Sequence, residues 1–282
     1  MSETEKSKTE WLADLVDSSV SRRSFAKSIG MMTAGVAGMS LLSGSLVKAV
    51  AQQAGVNAAS TTLTDADVLN FALNLEYLEA EFYTAAADGA TIASEGVIPS
   101  SAVGGPTYGG HKVPNIMSSP VAYLVTAIKH DEQAHVKFLR GALGASAVKK
   151  PTINLGALGI GFANWSQFLT LARAFEDVGV SAYAGAAPLI SNKTYLEAAA
   201  RIAETEAQHS GAVRTALIRF GITVSPTDSH DVPPTPNHPF LVDQYALSIA
   251  RSTSQVLKIV YAGGTNKGGF FPDGMNGKIT TA

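Results

Sequence analysis

The sequence contains no cysteine, and this absence limits the chemistry of any metal site. Disulfide bonds, thiolate zinc sites and iron–sulfur clusters all need cysteine sulfur and are therefore excluded. A metal ion would have to be held by carboxylate oxygen and imidazole nitrogen. A surplus of positive charge is also missing, because the formal net charge is −2. The chain thus lacks the basic character that binding to nucleic acid requires.

Sustained strand alternation is absent too, and the sequence instead shows helical periodicity. Apolar residues make up 46% of the chain and charged residues 16%, which is typical of a globular domain with a sizeable core. The spacing predicts an all-α fold, a four-helix body at 64–220 with a fifth helix at 240–260. The four body helices are expected at 64–87, 120–143, 165–187 and 193–220, the last ending at Gly221. Long irregular connections separate them, above all 88–119, and a Pro- and Gly-rich extension covers 221–282.

The first 51 residues resemble a twin-arginine export signal. Both arginines, a phenylalanine and a lysine stand at the expected places, and an uncharged stretch leads to a small-x-small site: Arg22, Arg23, Phe25, Lys27 and Ala49–Val50–Ala51. The resemblance implies the twin-arginine machinery as a partner and a periplasmic or secreted protein. The alternative is an uncut membrane anchor, since the apolar stretch is about long enough to span a bilayer.

Two of the predicted helices repeat a Glu–Tyr pair. Glu76 precedes Tyr83 by seven residues, and Glu176 precedes Tyr183 by the same step. Seven residues make two helical turns, so each tyrosine shares a face with its glutamate. The tyrosines either support ligand carboxylates by hydrogen bonds or are ordinary core aromatics whose hydroxyl finds a partner.

The other two helices each carry Glu-x-x-His, Glu132 with His135 and Glu206 with His209. Twelve glutamates and six histidines would give roughly 0.26 such pairs by chance, so two at matching places of a repeat are significant. A three-residue step puts both side chains of a pair on one helix face. In both helices that face is the apolar stripe that should form the core.

Four buried carboxylates and two imidazoles are tolerable only with compensating charge, because an unpaired buried charge costs several kcal/mol. One Glu from each of two helices, with Glu-x-x-His from each of the other two, is the ligand set of dimetal carboxylate bundles. The pattern therefore predicts two divalent ions, iron or manganese, held by the following side chains: Glu76, Glu132, His135, Glu176, Glu206 and His209.

On these motifs, residues 64–220 resemble the ferritin-like superfamily, and more narrowly the bacterial ferritin-like proteins grouped with desiccation-related proteins. The resemblance implies terminal ligation by Glu76 and Glu176 and bridging by Glu132 and Glu206, the residues expected to be catalytic. The connection 88–119 departs from the short hairpin of storage ferritins, which argues against a ferritin-type shell. A homo-oligomer is compatible with the sequence.

Several neighbouring groups are expected to lie outside the site. Glu79 and Glu81 should face solvent, although Glu79 is an alternative to Glu76 as the ligand of the first helix. His130 should be a surface or supporting group. Asp131 and Asp177, each next to a ligand in sequence, should face away from it and lie outside.

Two functional hypotheses follow. The first is a redox-active protein whose metal pair reacts with dioxygen or peroxide in stress protection, by ferroxidase, peroxide-scavenging or catalase-like chemistry. The second is a binding or structural protein that keeps the metal site for stability or sequesters metal without turnover. Fold alone does not decide between them.

Overall fold

Four long helices form the body of the protein in the computed structural model, which describes residues 63–282. Their bounds lie within two residues of the predicted ones: α1 Asp65–Asp88, α2 Ala122–Leu143, α3 Trp165–Ala186 and α4 Lys193–Arg219. The all-α prediction is confirmed. The predicted signal segment 1–51 lies outside the described residues. From residue 63 onward no helix combines the length and apolarity needed to cross a bilayer.

The helices pack in two pairs. α1 lies along α2 and α3 along α4, and the pairs meet through contacts of α1 with α3 and of α2 with α4. Local sequence sets the helix ends: the side chain of Thr64 forms a capping box with Asp67, and Asn192 caps α4. After α4, Gly221 adopts the predicted left-handed conformation with φ of 64°.

Helix α1 has no solvent side in its central part, since every residue from 68 to 87 is buried. The expectation that Glu79 and Glu81 face solvent is therefore wrong; they are 4% and 0% exposed. The outer face of α1 is covered by the long connections. There Glu81 accepts a hydrogen bond from Thr107 at 2.8 Å and lies 3.6 Å from the buried ammonium of Lys150.

The two long connections are held together by a short parallel sheet that the sequence did not predict. β1 (Thr107–Tyr108) pairs with β2 (Ile153–Asn154), with Thr107 opposite Ile153. The backbone N–H of Asn154 also donates to the carbonyl of Phe270 in the tail, at 2.9 Å. Strands of two residues are too short to show alternation, so only tertiary contacts reveal them.

The fifth helix is shorter than predicted. α5 comprises Thr253–Val260, and the expected helix over 240–252 is absent from this described segment. Residues 243–247 form a turn instead of a helix, because the Asp243 carboxylate accepts hydrogen bonds from the N–H groups of Tyr245 and Leu247 at 2.8 and 3.0 Å. This turn also places Ala246 at a φ of 59°, which no α-helix allows.

Asp177 is buried, which corrects the expectation that it lies outside. It faces away from the ligand glutamates, and contacts Arg173 at 3.0 Å and Arg214 at 2.7 Å. Arg173 also contacts Asp231 at 2.8 Å, and Arg214 donates to the carbonyl of Val232 at 2.8 Å. Paired buried charges of this kind fix the C-terminal extension against α3 and α4.

A close approach between α3 and the extension depends on Gly185. A Cβ at this position would lie 1.8 Å from the carbonyl oxygen of Arg251. We expect Gly185→Ala to lower the free energy of unfolding by about 1–3 kcal/mol or more, because backbone must move to admit the methyl group. Urea denaturation followed by circular dichroism measures this.

The matched control is Gly211→Ala, since nothing lies within 4 Å of a Cβ built at this helical glycine of α4. It should be neutral or stabilising by about 0.5–1 kcal/mol, because alanine favours the helix over the unfolded chain. Equal effects of the two substitutions would contradict the proposed close packing at Gly185.

Candidate metal centre

The six side chains singled out by the sequence meet inside the bundle, and we call them the six-residue cluster: Glu76, Glu132, His135, Glu176, Glu206 and His209. They form two overlapping groups, in each of which one ligand atom per residue lies within 4.8 Å of the others. The Glu76 group adds Glu132, His135 and Glu206. The Glu176 group adds Glu132, Glu206 and His209. Glu132 and Glu206 therefore belong to both groups, at the centre of the cluster.

The cluster is closed on its carboxylate side and slightly open on its histidine side. All four glutamates have no exposed surface. The side chains of His135 and His209 are 12% and 7% exposed. Solvent therefore comes nearest to the cluster at the edge formed by α2 and α4.

Several oxygen and nitrogen atoms of the cluster that could bind a metal have no hydrogen-bond partner among the described residues: Glu132 Oε1, Glu176 Oε2, both Glu206 oxygens and His209 Nδ1. His209 Nδ1 nevertheless lies 2.9 Å from Glu132 Oε1 and 3.4 Å from Glu176 Oε2. The atoms are close but not aligned for hydrogen bonding. Buried polar atoms are normally satisfied, so this arrangement fits lone pairs directed at a shared cation.

Without a cation the imidazoles take over the role of positive charge. Burial opposes the charged form of His209, but contacts with Glu132 and Glu176 outweigh it and raise the pKa of His209 to about 12. Burial likewise opposes protonation of His135, and Glu76, Glu132 and Glu206 still raise its pKa far above the ordinary value. Both histidines thus hold protons that a metal ion would have to displace.

The carboxylates respond unequally. Burial raises the pKa of Glu132 to about 7, although His135 and His209 pull it down. Burial and then the charge of Glu132 raise the pKa of Glu206 well above its usual range. Burial also disfavours the charged form of Glu76, but the neighbouring His135 reverses this and lowers the pKa of Glu76. In the metal-free protein the charged form is therefore less favoured at the two central glutamates than at Glu76.

A family model of the ferritin-like domain matches residues 64–219. The match covers more than half of the chain and contains the whole cluster. The chain belongs to the ferritin-like domain family.

Two relatives refine this assignment. The chain is 24% identical over 270 residues to a ferritin-like catalase, Nec2, of Nesocodon mauritianus, covering 76% of this chain and 84% of the relative. It is 29% identical over 185 residues to the desiccation-related protein PCC13-62 of Craterostigma plantagineum, covering 57% and 58% of the two chains. No solved structure matches the chain significantly. The resemblance to ferritin-like and desiccation-related proteins is thus confirmed.

The donor set of this ferritin-like bundle fits two divalent cations. Four carboxylates carry four negative charges, which two divalent ions would balance once the imidazoles are neutral. Oxygen and imidazole ligands suit iron or manganese. Glu206 and Glu132, which belong to both groups, are among the residues with oxygens that have no hydrogen-bond partner among the described residues. The buried cluster therefore fits metal binding, while the identity and number of the ions stay predictions.

The two tyrosines of the repeat support the cluster reciprocally. Tyr83 of α1 donates to Glu176 Oε1 of α3 at 2.5 Å, and Tyr183 of α3 donates to Glu76 Oε1 of α1. Each hydroxyl thus fixes the glutamate of the other helix and leaves its second oxygen for the centre. Of the two roles open for these tyrosines, the hydrogen bonds to Glu76 and Glu176 favour support of the carboxylates that are predicted to be ligands.

Asp131 has a role that sequence reasoning missed. Its carboxylate contacts His209 Nε2 at 3.2 Å, which directs Nδ1 of the imidazole toward the cluster. The Asp131 side chain is 41% exposed, so it lies at the surface as expected. Contrary to the expectation, it contacts a residue of the cluster. His130, next to it, is 81% exposed, as expected of a surface group. Asp131 pairs with a histidine of another helix, and no local sequence pattern indicates such a contact.

Glu79 lies beside the cluster but does not replace Glu76. Glu76 is a member of a four-residue group, whereas Glu79 belongs to neither group. Burial, and then the negative charges of Glu206 and Glu132, raise the pKa of Glu79 well above its ordinary value. The grouping therefore favours Glu76 over Glu79 as the predicted terminal ligand of α1.

A groove of about 790 Å³ lies between α3, α5 and residues 223–230, and none of the cluster residues lines it. Its buried charge, Arg173, is already paired with Asp177 and Asp231. The groove therefore adds no group to the chemistry of the centre.

Removing either supporting hydroxyl should weaken metal binding. We expect Tyr83→Phe and Tyr183→Phe each to raise the dissociation constant for Mn(II) about tenfold, because the partner glutamate loses the donor that orients it. Competition with a chromophoric chelator measures the constant.

Tyr77→Phe is the matched control. Tyr77 is fully buried on the same helix as Tyr83, but its hydroxyl contacts Arg140 and the carbonyl of Val148 rather than a cluster residue. Its substitution should leave the Mn(II) constant unchanged. If all three variants bind Mn(II) as the unsubstituted protein does, the tyrosines do not orient the ligands.

Proposed function

We propose that the six-residue cluster binds two iron or manganese ions and reacts with peroxide or dioxygen in stress protection. The observation that carries this proposal is that buried atoms of Glu132, Glu206 and His209 have no hydrogen-bond partner among the described residues, while the three side chains belong to one group of close ligand atoms. The similarity to a protein named a ferritin-like catalase favours peroxide as the substrate. Peroxide disproportionation is accordingly the first activity to test.

The amino acids of the centre bind, orient and hold protons. When bound, a pair of iron or manganese ions would supply the electron transfer that these side chains cannot perform. Glu76 and Glu176 are fixed by the tyrosine hydroxyls, and Glu132 and Glu206 are predicted to bridge.

The histidine edge offers the route for a small substrate. His135 and His209 are the partly exposed members of the cluster, whereas its glutamates are sealed from solvent. The slight exposure of the two imidazoles suits a small molecule such as hydrogen peroxide or dioxygen.

The second candidate function is a metal-binding or structural protein without turnover. The similarity to a desiccation-related protein favours it. Here the ions would stabilise the bundle by neutralising the cluster, and metal removal would lower the stability without loss of any activity.

Activity and metal content together decide between the two functions. We expect the purified protein to contain about two iron or manganese ions per chain and to consume hydrogen peroxide or Fe(II). Glu132→Ala and Glu206→Ala should each lower the metal content and abolish consumption, because each removes a ligand shared by both groups. Elemental analysis and an oxygen electrode measure the two quantities.

Glu204→Ala is the matched control, because Glu204 is exposed and lies two residues before Glu206 on the same helix. It should retain both metal and activity. Full metal content without consumption of peroxide, dioxygen or Fe(II) would favour the structural function. A protein that stays metal-free under ample iron and manganese would contradict both.

We further propose export through the twin-arginine pathway, followed by cleavage after Ala51. The mature protein should then begin near residue 52 outside the cytoplasm, as N-terminal sequencing would show. Arg22→Lys with Arg23→Lys should retain the full-length chain in the cytoplasm. A mature protein that keeps residues 1–51 in the membrane would support the anchor instead.

A further inference from the structure

The repeat that builds the cluster is broken at one position. Glu76 is followed three residues later by Glu79 on α1, whereas Glu176 is followed three residues later by Gly179 on α3. A three-residue step keeps Glu79 on the face of α1 that carries Glu76. The first half of the repeat thus contributes two acids to the interior, and the second half contributes one acid and a glycine.

Gly179 makes room for the additional carboxylate. A Cβ built on Gly179 would lie 2.6 Å from Glu206 Oε2 and 3.1 Å from Glu79 Oε1. Both oxygens therefore lie next to the same point on α3, where any larger residue would displace them. The position without a side chain, Gly179, therefore lies beside the additional acid, Glu79, in the structure.

The Glu79 carboxylate has no partner of its own. It is 4% exposed, and the described residues provide it with neither a hydrogen bond nor an ion pair. Its charged neighbours are the glutamates of the cluster. Glu81, two residues on, shows the contrast, because it is equally buried but contacts Lys150 and Thr107. A buried carboxylate without a cation is costly, so Glu79 either binds a proton or receives a cation from elsewhere.

We propose that Glu79 is a seventh ligand of the metal centre, on the side of Glu206, and that it makes the two metal positions unequal. This inference rests on the proposed metal binding and goes beyond the six-ligand set. Glu206 belongs to both groups and has both oxygens unsatisfied, so a cation held there lies within reach of a carboxylate beside it. The chain lacks a counterpart on α3, where Gly179 stands. One ion would consequently have more carboxylate ligands than the other.

The test compares Glu79→Gln with Glu81→Gln, the same substitution at two buried sites of one helix. Calorimetric titration with MnCl₂ should give the unsubstituted protein two ions with different dissociation constants. Glu79→Gln should weaken one of the two at least tenfold. Glu81→Gln should leave both constants unchanged, since Glu81 belongs to the Lys150 contact.

Stability of the metal-free protein provides the second readout. Glu79→Gln should raise the thermal unfolding midpoint of the metal-free protein, because it removes a buried acid that has no partner. Glu81→Gln should lower that midpoint, because it leaves buried Lys150 without its carboxylate. A purely structural role of Glu79 would instead make Glu79→Gln destabilising.

The outcomes separate this inference from the proposed function. If the unsubstituted protein binds no Mn(II), the proposed function and this inference both fail. If it binds two ions and Glu79→Gln keeps both constants, only the seventh ligand is refuted. A Glu79→Gln protein that is less stable without metal, or that does not fold, also overturns the inference.

Discussion

The repulsion among buried carboxylates is the constraint on which this structure depends. Four glutamates without exposed surface lie around two imidazoles, and a fifth lies beside them. Protons on the histidines offset part of the negative charge. Within the described part of the chain, however, five oxygen and nitrogen atoms still lack hydrogen-bond partners, and they belong to Glu132, Glu176, Glu206 and His209. Such a core is costly unless its charge is compensated, which fits the metal binding that the ferritin-like fold and the cluster suggest.

The rest of the fold supports this interior. Tyrosine hydroxyls cross between α1 and α3 and hold the outer oxygens of Glu76 and Glu176, while Asp131 directs His209 inward from the edge. The long connections and the tail cover the outer face of α1, where Glu81 and Lys150 form a buried contact of their own. A second set of buried charges around Asp177 fixes the C-terminal extension to α3 and α4. The buried acids of the Lys150 contact and of the Asp177 set thus have basic partners, unlike the glutamates at the centre of the bundle.

The asymmetry of the repeat separates this centre from a simple duplication. A symmetric pair of helix hairpins would give each metal the same ligands, but Glu79 and Gly179 occupy equivalent positions with opposite properties. The glycine provides the space that the glutamate and Glu206 fill. If the proposed metal centre forms, this asymmetry would let one position hold its ion more firmly than the other.

The sequence alone was sufficient to predict the four helices and the six-residue cluster, because both depend on local spacing: apolar stripes with a helical period and acid–histidine pairs one turn apart. It could not predict the surroundings of Glu79, Glu81 and Asp177, since a helix pattern does not show which outer faces distant segments will cover. The pairing of β1 with β2 was missed for the same reason. The start of α5 was likewise predicted too early in the chain. These features depend on contacts between residues far apart in the chain, such as Asn154 with Phe270 and Glu81 with Lys150, which only the tertiary structure brings together.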